Sequence, residues 1–404
     1  MNEVDFKKGF PGKLVPTVFN EYLAGPTEKP TQAKTLAFVP DPLPPKIDWQ
    51  ALQLEHFDAY SETILALGKI NGLHKRIGNA AGMLRTLWMR EAKLSSEVEN
   101  IHTTAEELVL AGVGRSLNPR DSSLESWNYV RALEHGIHSD LPWSSRLIRE
   151  MHEMLLQSVR GKTHRPGQFR DKGVYLSGPQ MGARHARFVP MPPGDALLNA
   201  IHDLEVFVNN THENIPSLFA VAITHYQFET IHPFSDGNGR IGRVLISRSL
   251  VKEKLLEHPV VYMSAYINEH RKQYIDLLLK ISQQGGQAWS DWIGFFLEAI
   301  RTQALDAIWR SEELINLQVR FQDLLKSDGA PPRLFPVVDS LFASPAINVA
   351  DLIKQTLTTK TTAGKDIDRL ARLGIVREIT GRERERDWMA QEIVDVISKE
   401  SPQL

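Results

Sequence analysis

The sequence predicts a mainly helical protein that carries a few short β-hairpins. Three observations lead there. Apolar residues recur with a period of about 3.6 from Asp48 to Gln157 and again beyond Leu197. Strand-like stretches are short and come in pairs separated by glycine-containing turns, 173–178 with 187–190 and 375–379 with a return through Trp388. Finally, the chain is 42% hydrophobic and 24% charged, as water-soluble globular proteins are, and its 404 residues call for two or three domains.

Composition also excludes whole classes of function. The net charge of −2 gives no global attraction for nucleic acid. The absence of cysteine rules out disulfides, thiol catalysis and Cys-ligated zinc, and it fits a reducing compartment. The N-terminus lacks a basic stretch followed by an apolar one, and no run approaches the length of a membrane span. A cytoplasmic protein without membrane attachment is therefore expected.

Residues 1–46 hold 8 of the 23 prolines, so this arm is expected to be extended and to lie on the surface of the helices that follow. In the next region Leu65, Leu67, Ile70 and Leu73 form one buried stripe and Met83, Leu84, Leu87 and Trp88 another. Ser95 and Glu99 share a helical face there and by themselves mark an ordinary charged helix. Trp127, Val130 and Leu133, then Leu147, Ile148, Met151 and Leu155, continue the pattern. His152-Glu153 opens like a zinc-protease helix but lacks the second histidine, and Gly112–Ser116 lacks the lysine of a phosphate loop.

Pro166–Arg170 is a turn leading into Gly173–Gly178, which with Arg187–Pro190 forms an expected hairpin. Leu197, Ile201, Leu204 and Val208 line one helix, and Leu218, Phe219, Ala222, Ile223 and Tyr226 line the next, which delivers the chain to His232. His225 on that helix is expected to be a buried structural group.

The stretch from His232 to Arg243, HPFSDGNGRIGR, concentrates the chemistry. Gly237, Gly239 and Gly242 let backbone come close to a ligand. Ile241, Val244 and Leu245 begin a helix, so the loop opens onto a helix N-terminus that favours anions. Arg240 and Arg243 share a face of its first turn, where two cations oppose the helix dipole unless an anion bridges them; a polyphosphate suits two guanidinium groups. Asp236 is a hard oxygen ligand such as a phosphate-bound Mg²⁺ uses, and His232 can act as a general base. Phe234 reads as a core anchor.

Past the loop, Tyr266–Tyr274 is amphipathic, Ala288–Leu297 is an aromatic helix and 301–326 a long polar helix broken at Ser327–Pro332. Helices are then expected at Val337–Phe342, Ile347–Leu357 and Thr361–Leu373, followed by two short strands. Residues 331–404 carry eleven basic and eleven acidic side chains.

His232–Arg243 resembles the signature of the Fic family, H-x-F-x-D/E-G-N-G-R-x-x-R, with every position present. Most members transfer AMP from ATP to a protein hydroxyl. The resemblance implies a Fic helical fold with a β-hairpin flap that receives a target segment by strand addition, and Gly167-x-Phe169-Arg170 with Phe188–Pro190 matches the family's flap region. It implies His232 as the catalytic base, Asp236 as the Mg²⁺ ligand, and Gly237, Asn238 and Gly239 as an anion cradle made of backbone N–H groups and the Asn amide. Arg240 would meet the β-phosphate and Arg243 the γ-phosphate of ATP. A tyrosine pair in the family lies against the adenine, which points to Tyr266 and Tyr274, although Ile275 stands here at the second position; Trp289 is a candidate pocket wall. Ser95…Glu99-Asn100 matches the family's inhibitory helix, S/T-x-x-x-E-G/N, so that Glu99 would dock on Arg243 and exclude the γ-phosphate.

The tail resembles a winged helix, with Lys360, Lys365, Arg369 and Arg372 on its third helix and Arg382, Arg384 and Arg386 on the wing. Its balanced charge makes positioning or dimerisation at least as good a reading as DNA contact. The expected organisation is thus 1–112 as arm and inhibitory region, 113–310 as catalytic core, and 311–404 as linker helix and winged helix. A bacterial protein is expected, acting on a protein substrate and on itself, with homodimerisation and DNA contact both open. Two other readings stand beside AMP transfer. One is transfer of a different phosphate-containing group, which the glycines at 237 and 239 disfavour because the kinase-like branch has Ala and Lys there. The other is a regulator whose catalytic site is vestigial.

Overall fold

The computed structural model describes the chain except residues 2, 22–30, 76–79, 116–120, 158–164, 178–181, 211, 213 and 402–404. Ser116 and Gly178, named above, lie outside the described residues. The molecule is mainly helical and divides into two compact units. The first comprises residues 1–63, 131–255 and 266–300, the second 64–130, 256–265 and 301–404.

The first unit begins with an antiparallel hairpin, β1 (Gly12–Glu21) and β2 (Thr31–Pro40), in register from Gly12↔Pro40 to Glu21↔Thr31. This corrects the expected surface arm. Pro16 is tolerated because a two-stranded ribbon has outer edges that need no donor. Ala33, Ala37 and Phe38 of β2 are fully buried, and Phe38 extends the pairing by a parallel bridge to Pro190, its N–H donating to the Val189 carbonyl at 2.9 Å. Leu176 bridges Phe188 antiparallel on the other side of the same segment, so the two stretches expected to form the flap pair through one bridge rather than as full strands, and β2 borders them. Phe6, Phe10 and Phe188 gather around Phe38 with ring centroids 5.9–6.1 Å from it.

After α1 (Trp49–Glu55) and the start of α2 (Phe57–His74) come the end of α5 (Asp121–His138), then α6 (Ser145–Leu155), α7 (Asp195–Asn209), α8 (Ser217–Ile231) and α9 (Asn238–Lys252). Nearly every side chain of α8 is buried, so it is the central helix, as an element without a polar face must be. Next come α10 (Ser264–Glu269), α11 (Arg271–Gln284) and the first turns of α12 (Gln287–Ser327). Trp292 of α12 donates its Nε1–H to the Ala222 carbonyl of α8 at 3.0 Å.

The second unit holds α3 (Ala80–Val98) and α4 (Ala105–Gly112), the latter closed by a capping box between Thr104 and Glu107. Its C-terminal part runs α13 (Leu334–Leu341), β3 (Ala346–Asn348), α14 (Val349–Thr356), α15 (Lys360–Arg372), β4 (Arg377–Glu378), β5 (Asp387–Met389) and α16 (Gln391–Ser398). The three strands order β3-β5-β4, antiparallel throughout. The aromatic and polar helices expected at 288–297 and 301–326 are one continuous helix, α12, because no proline interrupts 287–327 and its one glycine, Gly294, lies within the aromatic part rather than at the change of composition. Among the described residues no helix is long and apolar enough to cross a membrane.

Candidate active site

The site forms where α8 gives way to α9. His232 ends α8 in the left-handed region, φ 53° and ψ 63°, its amide still bonded to the Phe228 carbonyl. A non-glycine residue held there costs about 1–2 kcal/mol and marks a turn that its surroundings impose. The half-buried ring turns Nδ1 back to the Glu229 carbonyl at 3.2 Å. A carbonyl only accepts, so Nδ1 carries the proton of the neutral ring and the lone pair sits on Nε2, as a base requires.

Four residues on, Asp236 accepts the Gly237 N–H through Oδ1 at 2.7 Å, while its side chain stays 47% exposed. Gly237 is the N-cap of α9 at φ 78°, a conformation natural to glycine, and no side chain caps the helix. No side-chain cap therefore occupies the first amides of α9, the kind of helix start that suits an anion. Asn238 is buried and closes the loop on itself: Oδ1 accepts from the Phe234 N–H and Nδ2 donates to the Phe234 carbonyl, both at 2.9 Å. The carbonyl oxygen and one amide hydrogen of its side chain are thus committed to the loop, and the second Nδ2 hydrogen and the backbone are what it can offer a ligand. Arg240 and Arg243 are both almost fully buried on the first turn, with Arg240 Nη2 3.9 Å from Asp236 Oδ2. Gly242 lies where α8 and α9 touch; a Cβ there would meet Glu229 Oε1 at 2.1 Å and His225 Cε1 at 3.2 Å.

Two residues that carry no motif of their own hold this loop. His152 of α6 stacks face to face on Phe234, centroids 3.8 Å apart. It accepts the Gly167 N–H on Nδ1 and donates Nε2–H to the Asp236 carbonyl, both at 3.0 Å, so it ties the 166–170 turn to the loop as a neutral ring. Arg170 is the second; its guanidinium donates to main-chain carbonyls at Lys172, Met191, Ile231 and His232. A lone histidine and a turn arginine give no sequence signal beyond the family's flap pattern.

Behind the arginines, His225 is buried, with Nε2 bonded to the Tyr274 hydroxyl at 2.8 Å and its ring stacked on Trp292. Burial, with Arg243 nearby, pushes its pKa down to about 3, so it is the neutral structural group expected. Tyr274 and Trp289 are buried, Trp289 edge-on against Tyr226. Tyr266 is half-buried, stacked on His270 at 4.1 Å and edge-on to Phe295. Ser95 and Glu99 belong to the second unit. Ser95 is buried in α3, and Glu99 is exposed just beyond it. Asn100 takes the left-handed conformation, φ 59°, and Ile101 N–H bonds back to the Ser96 carbonyl at 3.0 Å, so the Asn of the motif is the residue that ends the helix. Among the described residues no cluster of three or more His, Asp or Glu forms a metal site.

Residues 142–250 match the model of the Fic/DOC family, and residues 57–138 match that of the Fic/DOC family N-terminal region. The protein adenylyltransferase Fic of Aedes aegypti is 32% identical over 140 residues, 34% of this chain and 24% of that protein. The protein of the same name from Drosophila melanogaster is 26% identical over 208 residues, 50% of this chain and 38% of that one. A probable protein adenylyltransferase of Aquifex aeolicus is 37% identical over 87 residues, covering 22% and 27%. The match thus spans well under half the length of these relatives. In fold the chain is similar to a Fic family protein from Desulfovibrio desulfuricans, with a TM-score of 0.50 and 21% identity over 82% of this chain and 95% of that one.

Proposed function

Because the chain belongs to the Fic/DOC family, we propose that it is a protein adenylyltransferase, moving AMP from MgATP to a Ser, Thr or Tyr hydroxyl of a target protein and of itself. The observation that supports this most is the His232 ring, whose Nδ1 is turned onto Glu229 so that Nε2 is the basic nitrogen, one loop away from a helix N-terminus bearing two buried arginines. Nε2 takes the hydroxyl proton as the oxygen attacks the α-phosphorus, and the bond to pyrophosphate breaks. Arg240 and Arg243 offset charge on the β- and γ-phosphates, and the first amides of α9 hold phosphate oxygens; placement and charge neutralisation carry most of the rate. Asp236 would hold Mg²⁺. One half-exposed carboxylate fits a cation that takes its other oxygens from phosphates and water. Of the three aromatic candidates, Tyr266 is the one that is not fully buried, which makes it the better adenine contact. Since β2 borders the 187–190 side of the flap, an extended target segment would lie along the 173–177 side.

Glu99 acts as the competitor of the γ-phosphate for Arg243, as the S-x-x-x-E-N pattern implies. The order α13-β3-α14-α15-β4-β5-α16 supports a winged helix in the tail. Arg369 and Arg372 of α15 lie 3.4 and 3.8 Å from Asp328, and Arg333 pairs with Asp366 of the same helix, so internal pairing already occupies much of that charge. This favours a positioning or dimerisation module over a DNA reader.

The test is intact-mass spectrometry after incubation of the full chain and its Glu99→Gly variant with MgATP. A gain of one AMP, greater in Glu99→Gly and lost in His232→Ala while ATP still binds, is the expected result. A phosphate-sized gain overturns the AMP reading, labelling that survives His232→Ala removes His232 as the base, and equal labelling with and without Glu99 refutes inhibition.

A further inference from the structure

We infer that Arg170 is a positioning residue that fastens the His232 turn and both legs of the flap into one body; the inference rests on the reading of His232 as the base. Arg170 is 3% exposed. Its Nε donates to the His232 carbonyl at 2.7 Å, and Nη2 to the Met191 carbonyl at 2.5 Å and the Ile231 carbonyl at 3.3 Å. Nη1 reaches the Lys172 carbonyl at 3.4 Å, and its own backbone N–H donates to the Pro233 carbonyl at 2.9 Å. Lys172 is where the chain enters the flap and Met191 is where it leaves. Ile231, His232 and Pro233 are the end of α8 and the left-handed turn. One planar group thus joins three segments that are far apart in sequence.

The acceptors around the Arg170 guanidinium are all main-chain carbonyls and no carboxylate acts on it among the described residues, although a buried cation ordinarily needs one. Here the compensation comes from carbonyls, two of them at the C-terminal end of α8, where the helix dipole is negative. Burial pushes its pKa down to about 10, so it remains a cation at neutral pH. The same bonds hold the peptide planes around His232 in the left-handed geometry that would otherwise relax. A lysine has neither the reach nor the planar fork to serve three segments at once.

The consequence is mechanical. The base and the hairpin that would receive the target cannot drift apart while Arg170 is in place. Removing it should spare nucleotide binding, which uses α9, and impair the alignment of base and acceptor.

The experiment compares Arg170→Lys and Arg170→Met with the parent full chain. Hydrogen exchange is read at the Leu176 and Arg187 amides, which bond across the flap, and at the His232 amide, with the His232 ring followed by NMR. In Arg170→Met, protection at these three amides should fall about tenfold, the amount that corresponds to losing roughly one hydrogen bond's worth of local stability. The ring signal should shift, and kcat for AMP transfer should drop while KM for ATP stays within about threefold. Arg170→Lys should fall between the two and decides the matter if the Met variant does not fold. Unchanged flap exchange and an unchanged His232 signal overturn the inference, as does a loss of protection spread evenly over the core. If the parent chain transfers no AMP, the proposed reaction fails, yet exchange and ring signals still decide the role of Arg170.

Discussion

Asn238 uses both ends of its side-chain amide on one residue, Phe234, and so fixes the diameter of the loop that precedes α9. Both Phe234 groups are buried, and replacing Asn238 by alanine leaves a donor and an acceptor without partners. Each such orphan costs on the order of 1–3 kcal/mol. Asn238→Ala should therefore lower the melting temperature clearly and weaken ATP binding, because the amides of α9 lose their fixed direction. Thermal unfolding and an ATP titration check both; unchanged nucleotide affinity in a destabilised protein would mean that the loop does not shape the phosphate site. This residue scale is where the sequence is most informative. In HPFSDGNGRIGR the turn chemistry is local: glycine at the left-handed cap and the Asn that returns to position 234 lie within a few residues of what they serve. What supports the loop from outside is not local. His152 lies 84 residues before Asp236 in the chain, and nothing near it in sequence says that its ring will stack on Phe234.

At the scale of elements, the hairpin β1–β2 extends the flap sideways, and Phe38 is the residue that seats it. Its ring is fully buried among Phe6, Phe10 and Phe188, and its N–H is bonded to Val189. Phe38→Ala should cost about 3–5 kcal/mol of local packing and cavity energy. The loss should appear first as faster hydrogen exchange along β2 and residues 187–190, with α8 and α9 protected as before; exchange that rises equally in α8 would show that the hairpin is part of the central core rather than a buttress of the flap. The hairpin was illegible because its buried face is built largely from Ala33 and Ala37, which carry little apolar signal, and because prolines at 11, 16, 40 and 42 read as an extended arm. Its closing partner, Pro190, is 152 residues away from Phe38. Helices such as α6 and α7 are legible because each writes its buried face at fixed spacing within itself. In α12 the opposite holds: the change from aromatic to polar composition near residue 300 resembles a helix end, yet no residue there stops the helix.

Across the whole molecule, each compact unit contains a buried histidine that the folded state keeps neutral. In the first, His225 is pushed down to about 3 by burial, with Arg243 adding to it. In the second, His74 is pushed down to about 4 by burial, with His258 nearby, while its Nε2 bonds to the Ser311 hydroxyl at 3.1 Å. In the unfolded chain both titrate near the ordinary value of 6.5. Above that pH neither state binds the proton and the histidines leave stability unchanged. Below it the unfolded chain takes up protons that the folded chain refuses, so stability falls as pH drops from 6.5 towards the folded values. Between about pH 7 and pH 5 each histidine should remove on the order of 2 kcal/mol. Because one lies in each unit, both units should weaken over the same interval, before most carboxylates titrate. Urea unfolding at the two pH values measures the loss. His74→Gln keeps a donor for Ser311 without a titrating ring, and it should flatten the pH dependence of the second unit while leaving that of the first. A His74→Gln protein with the full wild-type pH dependence would place the acid sensitivity elsewhere.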